Sequence, residues 1–358
     1  MKKGYLVFND GTVFEGERIG AECDTIGELV FTTGVEGYLE TLTDPSYAGQ
    51  IVVQTFPMIG NYGVISEDFE GESALKGYVV GELCDNPSNF RSEFALDTYL
   101  KEKGIPGLCG VDTREITIKI REGGVTNAGI FDEIPTDFSA LNEYLIKDVV
   151  RSVSTKKEYF CPSIGSPKHK IAMIDCGVKR NIIRSLNERQ CDVTVFPCDV
   201  NAERLLQGGF DGVMLTNGPG DPEDNVSLIG EIKKIIGKIP LFGICLGHQL
   251  VALAMGGKTM KLKYGHRGGN QPVKEVKGKR VYVTSQNHGY AVVAESLKGV
   301  GEEIFVNAND GSSEGMYYPE KKCFTVQFHP EAASGPRDAA FLFDQFIAMT
   351  EGKDYAEK

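Results

Sequence analysis

The sequence predicts an α/β protein made of a C-terminal doubly wound, mostly parallel sheet preceded by a β-rich α+β N-terminal domain. Two observations predict this division. Short β-like runs separated by turn residues dominate residues 1–150, whereas strands and helices alternate after residue 170. A polar stretch rich in Ser, Pro and Lys, residues 151–169, separates the two patterns. We therefore predict domains at 1–150 and 170–358, joined by a linker at 151–169.

The N-terminal part contains short apolar runs that are typical of strands. These runs are Tyr5–Phe8, Thr12–Phe14, Glu28–Thr32 and Gln50–Thr55. An Asn-Asp-Gly turn between the first two runs favours a hairpin. We also predict a few helices between these strands, for example at Phe94–Lys103.

The C-terminal part alternates between the two kinds of element. We predict strands at Ile171–Asp175, Cys191–Phe196, Phe210–Thr216, Ile239–Ile244 and Cys323–Phe328, and helices at Lys179–Asn187 and Leu228–Ile236. Alternation of this kind favours a parallel sheet with helices on both faces. Ligands bind such sheets beyond the carboxyl ends of the strands. The turns that follow the strands are therefore where catalytic residues are expected.

Composition limits the classes of function. The 358 residues are 41% hydrophobic, enough for two domains with cores of their own, and the net charge of −12 disfavours binding to nucleic acid. Apolar runs are too short to cross a bilayer, and the N-terminal run is too short for a signal peptide. Nine cysteines without a CxxC pair suit a reducing compartment. We expect a cytoplasmic protein that binds neither nucleic acid nor a membrane.

Cys245 is the strongest candidate for a catalytic residue. It lies in Gly243-Ile-Cys-Leu-Gly247, between an apolar strand and an apolar helix, which is the arrangement of a nucleophile elbow. Small residues on both sides let the backbone turn sharply, and a helix N-terminus favours a negatively charged sulfur. The alternative is a buried structural thiol, which is what most cysteines are. The two glycines and the flanking elements favour the nucleophile.

A cysteine nucleophile needs a base, and His329 is the best candidate among the five histidines. It ends the apolar run Cys323–Phe328 and is followed by Pro330 and Glu331. Residues two apart in an extended chain project to the same side, so Glu331 can orient the imidazole of His329. If the strands before Cys245 and His329 run parallel, both side chains emerge at the same edge of the sheet.

The other histidines and Cys176 are weaker candidates. His169 lies in the predicted linker, His248 follows the elbow, and His266 and His288 lie in segments rich in Gly or Asn. We interpret His248 and His266 as hydrogen-bonded structural residues. Cys176 also lies between a strand and a helix but lacks a glycine on its N-terminal side, so we interpret it as structural. No group of histidines or cysteines has zinc-site spacing, and no phosphate-binding glycine motif is present. We therefore expect neither a metal nor a nucleotide on this chain.

A third turn completes the candidate site. The segment Thr216-Asn-Gly-Pro-Gly-Asp-Pro222 follows another apolar run. Such a turn brings a backbone N–H close to a bound carbonyl, where a side chain would collide. Together with the N–H of Leu246, it predicts an oxyanion hole. Gly-Pro-Gly alone is a common turn, and its position at a strand end is what favours this interpretation.

Three motifs, in the order in which they occur along the chain, resemble those of the class I (triad) glutamine amidotransferases. They are Asn217-Gly-Pro-Gly-Asp-Pro, Gly-Ile-Cys-Leu-Gly-His-Gln and His329-Pro-Glu331. The N-terminal part resembles the small, glutaminase subunit of carbamoyl-phosphate synthetase, in the segments Thr33–Gln50 and Gly110–Arg114. Other amidotransferases of the class lack that domain, so the resemblance points to this family. It implies the class I glutaminase fold for residues 170–358.

The resemblance implies a role for each matching residue. Cys245 would be the nucleophile, His329 the general acid and base, and Glu331 the residue that orients the histidine. The backbone N–H groups of Gly218 and Leu246 would form the oxyanion hole. Glutamine would be bound by Ser46, Gly218, Gly220, Leu246, Gln249, Asn287, Gly289 and Tyr290. Family members often carry phenylalanine at the position of Tyr290, which keeps the ring.

The resemblance also implies a reaction and a partner. The chain would hydrolyse L-glutamine through a Cys245 thioester and pass ammonia to the large synthetase subunit of a heterodimer. That subunit would bind ATP and its metal and use bicarbonate to make carbamoyl phosphate for pyrimidine and arginine biosynthesis, so no cofactor is expected on this chain. Two alternatives stay open: another cysteine enzyme, such as a peptidase or a glutaminase of another pathway, and a non-enzymatic binding subunit. Cleavage of glutamine but not of peptides, and the effect of Cys245→Ser, would distinguish them.

Overall fold

The computed structural model describes residues 2–353 and 355. The chain divides into two compact units, and the division falls between Ile146 and Lys147. The first unit is rich in strands, and the second combines strands with helices. This is the α/β organisation that the sequence predicts.

The first unit is built around a closed barrel. In the described part of the chain, its strands are β1 (Lys3–Phe8), β2 (Val13–Gly20), β3 (Thr25–Thr32), β4 (Gln50–Ile59), β5 (Gly77–Leu83), β6 (Pro106–Cys109) and β7 (Thr126–Phe131). They follow one another in the order β1-β2-β6-β5-β4-β3-β7, and β7 pairs with β1 to close the barrel. The α-helices described in this unit are α1 (Tyr38–Leu42), α2 (Leu96–Glu102), α3 (Thr113–Gly123) and α4 (Ser139–Glu143). The four runs predicted as strands lie in β1 to β4, and the predicted helix corresponds to α2.

Buried apolar side chains hold the barrel together. Val7, Leu29, Val52, Tyr78 and Leu108 come from five of its strands and are fully buried. Burial of such side chains is the main favourable contribution to folding. Closing the sheet also removes exposed strand edges, which are prone to aggregation. The barrel therefore needs neither a disulfide nor a metal to form a core.

The second unit is built around one mixed sheet. Its strands are β8 (Tyr159–Cys161), β9 (His169–Asp175), β10 (Cys191–Pro197), β11 (Gly212–Leu215), β12 (Leu241–Ile244), β13 (Thr259–Glu275), β14 (Val281–Val292), β15 (Glu302–Asn307), β16 (Ser313–Tyr318) and β17 (Cys323–Val326). Its helices are α5 (Val149–Val153), α6 (Arg180–Asn187), α7 (Ala202–Leu206), α8 (Val226–Ile235), α9 (Leu246–Ala254) and α10 (Phe341–Thr350). Within residues 2–353 and 355, no helix has the length and apolar character needed to span a membrane.

The strand order of this sheet is β14-β13-β15-β16-β17-β12-β11-β9-β10-β8. The centre of the sheet, from β17 to β10, is parallel, as the sequence predicts. The strands from β13 to β16 pair antiparallel with one another, and β16 joins them antiparallel to β17. The long β13–β14 hairpin is a feature that the sequence analysis did not predict.

Helices cover both faces of the central strands, which confirms the doubly wound arrangement. Leu228 of α8 and Leu250 of α9 share one core with side chains from one face of the sheet. Leu186 of α6 and Phe346 of α10 share the other core with Phe242 of β12. Because successive side chains of a strand point to opposite faces, each central strand contributes to both cores. This explains why those strands are apolar throughout.

The segment predicted as a linker, residues 151–169, contains regular structure. It includes the end of α5 and the strand β8, and β8 pairs antiparallel with β10. The backbone N–H of Thr155 donates to Asp175 Oδ2 at 2.7 Å. This segment is therefore packed on the sheet of the second unit.

Candidate active site

The candidate nucleophile and base follow two neighbouring parallel strands. In the pair formed by β12 and β17, Ile244 lies opposite Val326. Cys245 directly follows β12, and its backbone N–H donates to the carbonyl of Val326 at 2.8 Å. His329 lies just beyond the end of β17. Both residues therefore come from the same edge of the sheet, and the parallel pairing on which this prediction depended is confirmed.

Cys245 has the strained backbone of a nucleophile elbow. Its φ is 54° and its ψ is −104°, a region that non-glycine residues rarely adopt. A Cβ on Gly243 would lie 2.9 Å from the carbonyl oxygen of Gly247, and a Cβ on Gly247 would lie 2.6 Å from that of Leu215. Both positions therefore require glycine. The turn places Cys245 immediately before α9.

His329 and Glu331 form a buried pair. His329 Nδ1 lies 2.6 Å from Glu331 Oε1, and both side chains are fully buried. Burial and the Lys179 ammonium lower the pKa of His329, but the charge of Glu331 and hydrogen bonds to Cys245 and Glu331 outweigh them and raise it to about 9. The other ring nitrogen, Nε2, is buried without a nitrogen or oxygen partner among the described residues, so the hydrogen bond to Cys245 belongs to this nitrogen. With Nδ1 held by Glu331, Nε2 is left to exchange a proton with the Cys245 thiol.

Lys179 belongs to this cluster although the sequence analysis did not nominate it. Its Nζ lies 3.3 Å from His329 Nδ1 and 3.6 Å from Glu331 Oε1. Burial alone would raise the pKa of Glu331, but the positive charge of Lys179 contributes, together with His329, to lowering this pKa. Lys179 lies in the turn between β9 and α6, so the rule that ligands bind beyond strand ends was the signal that would have found it.

The turn after β11 packs against the start of α9. A Cβ on Gly218 would lie 2.7 Å from Leu246 Cδ2, which shows how closely the two segments approach. The carbonyl of Thr216 accepts the N–H of Gly247 at 3.1 Å. Gly220 has a φ of 83°, a conformation that favours glycine. Leu246 is the first residue of α9, where N–H groups have no acceptor within the helix. The structure thus brings together the two segments that predict an oxyanion hole.

The residues implied in glutamine binding fall into two groups. Gln249 Nε2 donates to the carbonyl of Tyr290 at 2.8 Å, and Cys245 Sγ lies 3.6 Å from the carbonyl of Asn287. These contacts place α9 and the part of β14 that carries Asn287, Gly289 and Tyr290 around the thiol. Ser46 lies in the first unit, in the 3-10 helix Pro45–Tyr47, where its N–H donates to Asp44 Oδ1 at 2.8 Å. A role for Ser46 in binding glutamine stays a prediction.

The weaker candidates have structural surroundings. Cys176 is fully buried, and burial raises the pKa of its thiol well above the usual range, which makes it a poor nucleophile. His248 is fully buried, its Nδ1 lies 2.8 Å from Thr325 Oγ1, and burial lowers its pKa to about 3. His169 begins β9 and lies 3.7 Å from Glu351. These contacts support the structural interpretation of Cys176 and His248.

Comparisons with known proteins agree with these features. Residues 172–349 match the family described as glutamine amidotransferase class-I. Residues 6–130 match the family described as carbamoyl-phosphate synthase small chain, CPSase domain. A solved structure from Thermoplasma acidophilum, described as a putative GMP synthase subunit, is 23% identical, covers 51% of this chain and 94% of its own, and has a TM-score of 0.45, a similarity too low to support a conclusion.

Two curated relatives extend over nearly the whole chain. The carbamoyl phosphate synthase small chain of Bacillus anthracis is 50% identical over 354 residues, which are 98% of this chain and 96% of that one. The protein of the same name from Listeria monocytogenes serotype 4b is 48% identical over 363 residues, covering 100% of this chain and 99% of that one. Similarity at this level and coverage identifies the family: the chain belongs to the carbamoyl phosphate synthase small chains, and its second unit is a class I glutamine amidotransferase domain.

Proposed function

We propose that this chain is the glutaminase subunit of a carbamoyl phosphate synthase, with Cys245, His329 and Glu331 as its catalytic residues. The observation that carries the proposal is the convergence of these side chains at the ends of two adjacent parallel strands. A thiol, an imidazole and a carboxylate in this order are a nucleophile, a general base and the group that orients the base.

The first half of the reaction forms a thioester. The sulfur of Cys245, having given its proton to His329, attacks the side-chain carboxamide carbon of glutamine. The carbonyl oxygen becomes an oxyanion, which the backbone N–H groups of Gly218 and Leu246 stabilise. His329 then donates its proton to the departing nitrogen, the C–N bond breaks, and ammonia leaves. A glutamyl thioester remains on Cys245.

The second half regenerates the enzyme. His329 removes a proton from a water molecule, and the resulting hydroxide attacks the thioester carbon. The same N–H groups stabilise the second oxyanion. The C–S bond breaks, the sulfur regains its proton from His329, and glutamate is released. Glu331 keeps the ring of His329 oriented in both halves, as the 2.6 Å contact with Nδ1 supports.

Glutamine recognition is proposed for the residues around the thiol. Gly218 and Gly220 lie on the turn that follows β11, and Leu246 and Gln249 lie in the first half of α9. Asn287, Gly289 and Tyr290 lie on β14. Backbone groups and amide side chains suit a small zwitterion, whose charged ends need polar partners once water is removed. By family resemblance, Ser46 of the first unit contributes a further contact.

The proposed partner is the large chain of the synthase, because a small chain implies a large one. By resemblance, the large chain binds ATP with its metal and combines bicarbonate with the ammonia that this chain releases. The product, carbamoyl phosphate, serves pyrimidine and arginine biosynthesis. Neither a metal nor a nucleotide takes part in the glutaminase step as proposed. A cytoplasmic location is the natural one for such a synthase.

Reconstitution with the large chain tests this proposal. We expect the wild-type pair to make carbamoyl phosphate from either glutamine or ammonia. With Cys245→Ser, glutamine-dependent synthesis should be lost, whereas ammonia-dependent synthesis should continue. Loss of both activities in a folded, assembled variant would contradict the assignment of Cys245 to the glutaminase step. Cleavage of peptides by the isolated chain would favour a peptidase.

A further inference from the structure

A second cluster of titratable side chains lies next to the catalytic site and has no part in the proposed reaction. His266 is on β13, His288 on β14 and Glu314 on β16. All three are buried, and one ligand-type atom from each lies within 4.8 Å of the other two. His266 and His288 are cross-strand partners with ring centroids 4.9 Å apart. Three strands thus deliver two imidazoles and a carboxylate to one buried point.

The outer nitrogen of each ring is held by an oxygen. His288 Nδ1 lies 2.7 Å from the carbonyl of Tyr290, and His266 Nε2 lies 2.9 Å from Asp310 Oδ2. Both oxygens can only accept, so each of these ring nitrogens carries the hydrogen. Metal-binding histidines in proteins have this same arrangement, in which a carbonyl or carboxylate fixes the tautomer and the ring.

The inner atoms of the cluster therefore carry lone pairs that face one another. His266 Nδ1 lies 3.5 Å from Glu314 Oε1, and the amide of Asn307 lies 3.5 Å from the same nitrogen and 3.0 Å from the same oxygen. Among the described residues, Glu314 Oε2 is buried without a hydrogen-bond partner. A buried carboxylate oxygen without a hydrogen-bond partner lowers the stability of the folded protein, and a bound cation would supply the missing interaction.

From this geometry we propose that His266 Nδ1, His288 Nε2 and Glu314 form a binding site for Zn²⁺ within the second unit. Two imidazoles with one carboxylate are a ligand set that zinc takes in proteins, and the nitrogens disfavour Mg²⁺ and Ca²⁺. Gln286 is placed to complete the coordination, because its Oε1 lies 3.1 Å from His288 Nε2. The sequence-based expectation was no metal on this chain, and the proposed ligands carry no motif spacing because they come from separate strands.

Charge and access also suit a cation. The carboxylates of Asp310 and Glu314 lie 2.9 Å and 3.5 Å from the two ring nitrogens of His266, so negative charge surrounds the cluster. The side chain of Asp310 is 46% exposed and contacts His266, so the cluster lies close to the protein surface. His288 lies between Asn287 and Gly289. Zinc would therefore fix the segment of β14 that is proposed to bind glutamine.

The test uses the full chain, stripped of metal with a chelator and then titrated with Zn²⁺ near neutral pH. Calorimetry gives affinity and stoichiometry, and Co²⁺ in place of zinc gives an absorption spectrum that reports its ligands. The variants are His266→Gln and Glu314→Gln. The matched controls are His169→Gln, a histidine outside the cluster, and Cys245→Ser, which removes the thiol that is the main rival ligand in the catalytic site.

We expect one Zn²⁺ per chain, a higher unfolding temperature with zinc, and a tetrahedral Co²⁺ spectrum without a thiolate band. Binding should weaken by at least about tenfold in His266→Gln and Glu314→Gln and stay unchanged in both controls. The proposal is wrong if those two variants bind zinc as the wild type does, if Cys245→Ser abolishes binding, or if the Co²⁺ spectrum shows thiolate coordination.

A fold control keeps this test decisive. Each variant is compared with the wild type by its unfolding temperature in the presence of chelator. If Glu314→Gln does not fold, Asp310→Asn replaces it, because Asp310 is partly exposed and would act on the metal only through its contact with His266. Loss of this outer partner should reduce zinc affinity by roughly 10-fold to 100-fold. Unchanged affinity in Asp310→Asn would contradict the proposed arrangement.

Discussion

The backbone N–H of Cys245 donates to the carbonyl of Val326 at 2.8 Å. This hydrogen bond joins two motifs that are far apart in the sequence, because Val326 ends β17 and His329 lies just beyond it. The pairing of β12 with β17 thus fixes the nucleophile relative to its base before any substrate binds. The proposed chemistry depends on the sheet register as much as on the identity of the catalytic side chains.

The glycine after the nucleophile is required by packing. In Gly247→Ala, the new Cβ would lie 2.6 Å from the carbonyl oxygen of Leu215, so α9 must move. We expect the free energy of unfolding to fall by about 1–3 kcal/mol, together with a lower kcat for glutamine hydrolysis. Gly230→Ala is the control: it lies in α8 with nothing within 4 Å of its Cβ and should stabilise by about 0.5–1 kcal/mol. Denaturant unfolding measures the stability of both variants, and glutaminase assays measure their kcat. A Gly247→Ala protein with wild-type stability and kcat would contradict the prediction.

The variant Gly218→Ala tests the proposed oxyanion hole. An alanine Cβ there would lie 2.3 Å from the carbonyl oxygen of Cys176, which is backbone and cannot rotate away. The turn must shift and carry the proposed N–H donor with it. We expect kcat to fall on the order of 100-fold, the usual effect of losing one oxyanion donor. A folded Gly218→Ala protein with wild-type kcat would remove Gly218 from the proposed mechanism.

The pair of His329 and Glu331 predicts a pH dependence of stability. The pKa of His329 is raised from its ordinary 6.5 to about 9, so the folded state binds the proton more tightly than the unfolded state. This contribution is complete below pH 6.5 and is lost as the pH rises through about 9. Glu331→Gln removes the carboxylate that raises the pKa, so its stability should fall less over this range. The measurement is urea unfolding across the pH series, and an equal fall in both proteins would contradict the assignment.

The same variant also tests orientation of the base. A glutamine at position 331 keeps the size of the side chain but loses its charge. We expect kcat to fall by up to about 10,000-fold at neutral pH, as in other sites where the orienting carboxylate is replaced by an amide. The unfolding measurement at low pH shows whether the variant is folded. Full activity in Glu331→Gln would mean that His329 needs no carboxylate partner.

His248 predicts the opposite trend with pH. Burial lowers its pKa from 6.5 to about 3, so the neutral ring is favoured in the folded state. Its contribution to stability is complete above pH 6.5 and is lost as the pH falls towards 3. In His248→Gln, stability should therefore decline less in acid than in the wild type. Unfolding experiments from pH 7 to pH 4 check this, and a steeper decline in the variant would contradict it.

Much of the second unit was predictable from local patterns. The central strands are apolar throughout because both faces are covered, and glycine-rich turns mark their carboxyl ends. The elbow at Cys245 and the pair of His329 and Glu331 follow from those patterns and from simple geometry. Predicted ends differ from the structure, as in β11, which spans Gly212–Leu215 and not Phe210–Thr216. Local hydrophobicity does not fix where strand pairing stops.

Features that depend on long-range pairing were not predictable. Closure of the barrel needs β7 to pair with both β1 and β3, and no local signal specifies such partners. The β13–β14 hairpin contains register shifts and Pro272, which obscure the alternation expected of strands. Lys179 and the cluster around Glu314 come together only when separate strands assemble. Those residues carry no motif that a single sequence reveals.

The central claim is that glutamine is hydrolysed through a covalent bond to Cys245. The most direct measurement mixes the chain with glutamine, quenches with acid at early times and maps modified peptides by mass spectrometry. We expect a glutamyl thioester on the peptide that contains Cys245, and neither this adduct nor glutamate formation in Cys245→Ser. Glutamate formation at the wild-type rate by Cys245→Ser, with no adduct on Cys245 in the wild type, would contradict the account.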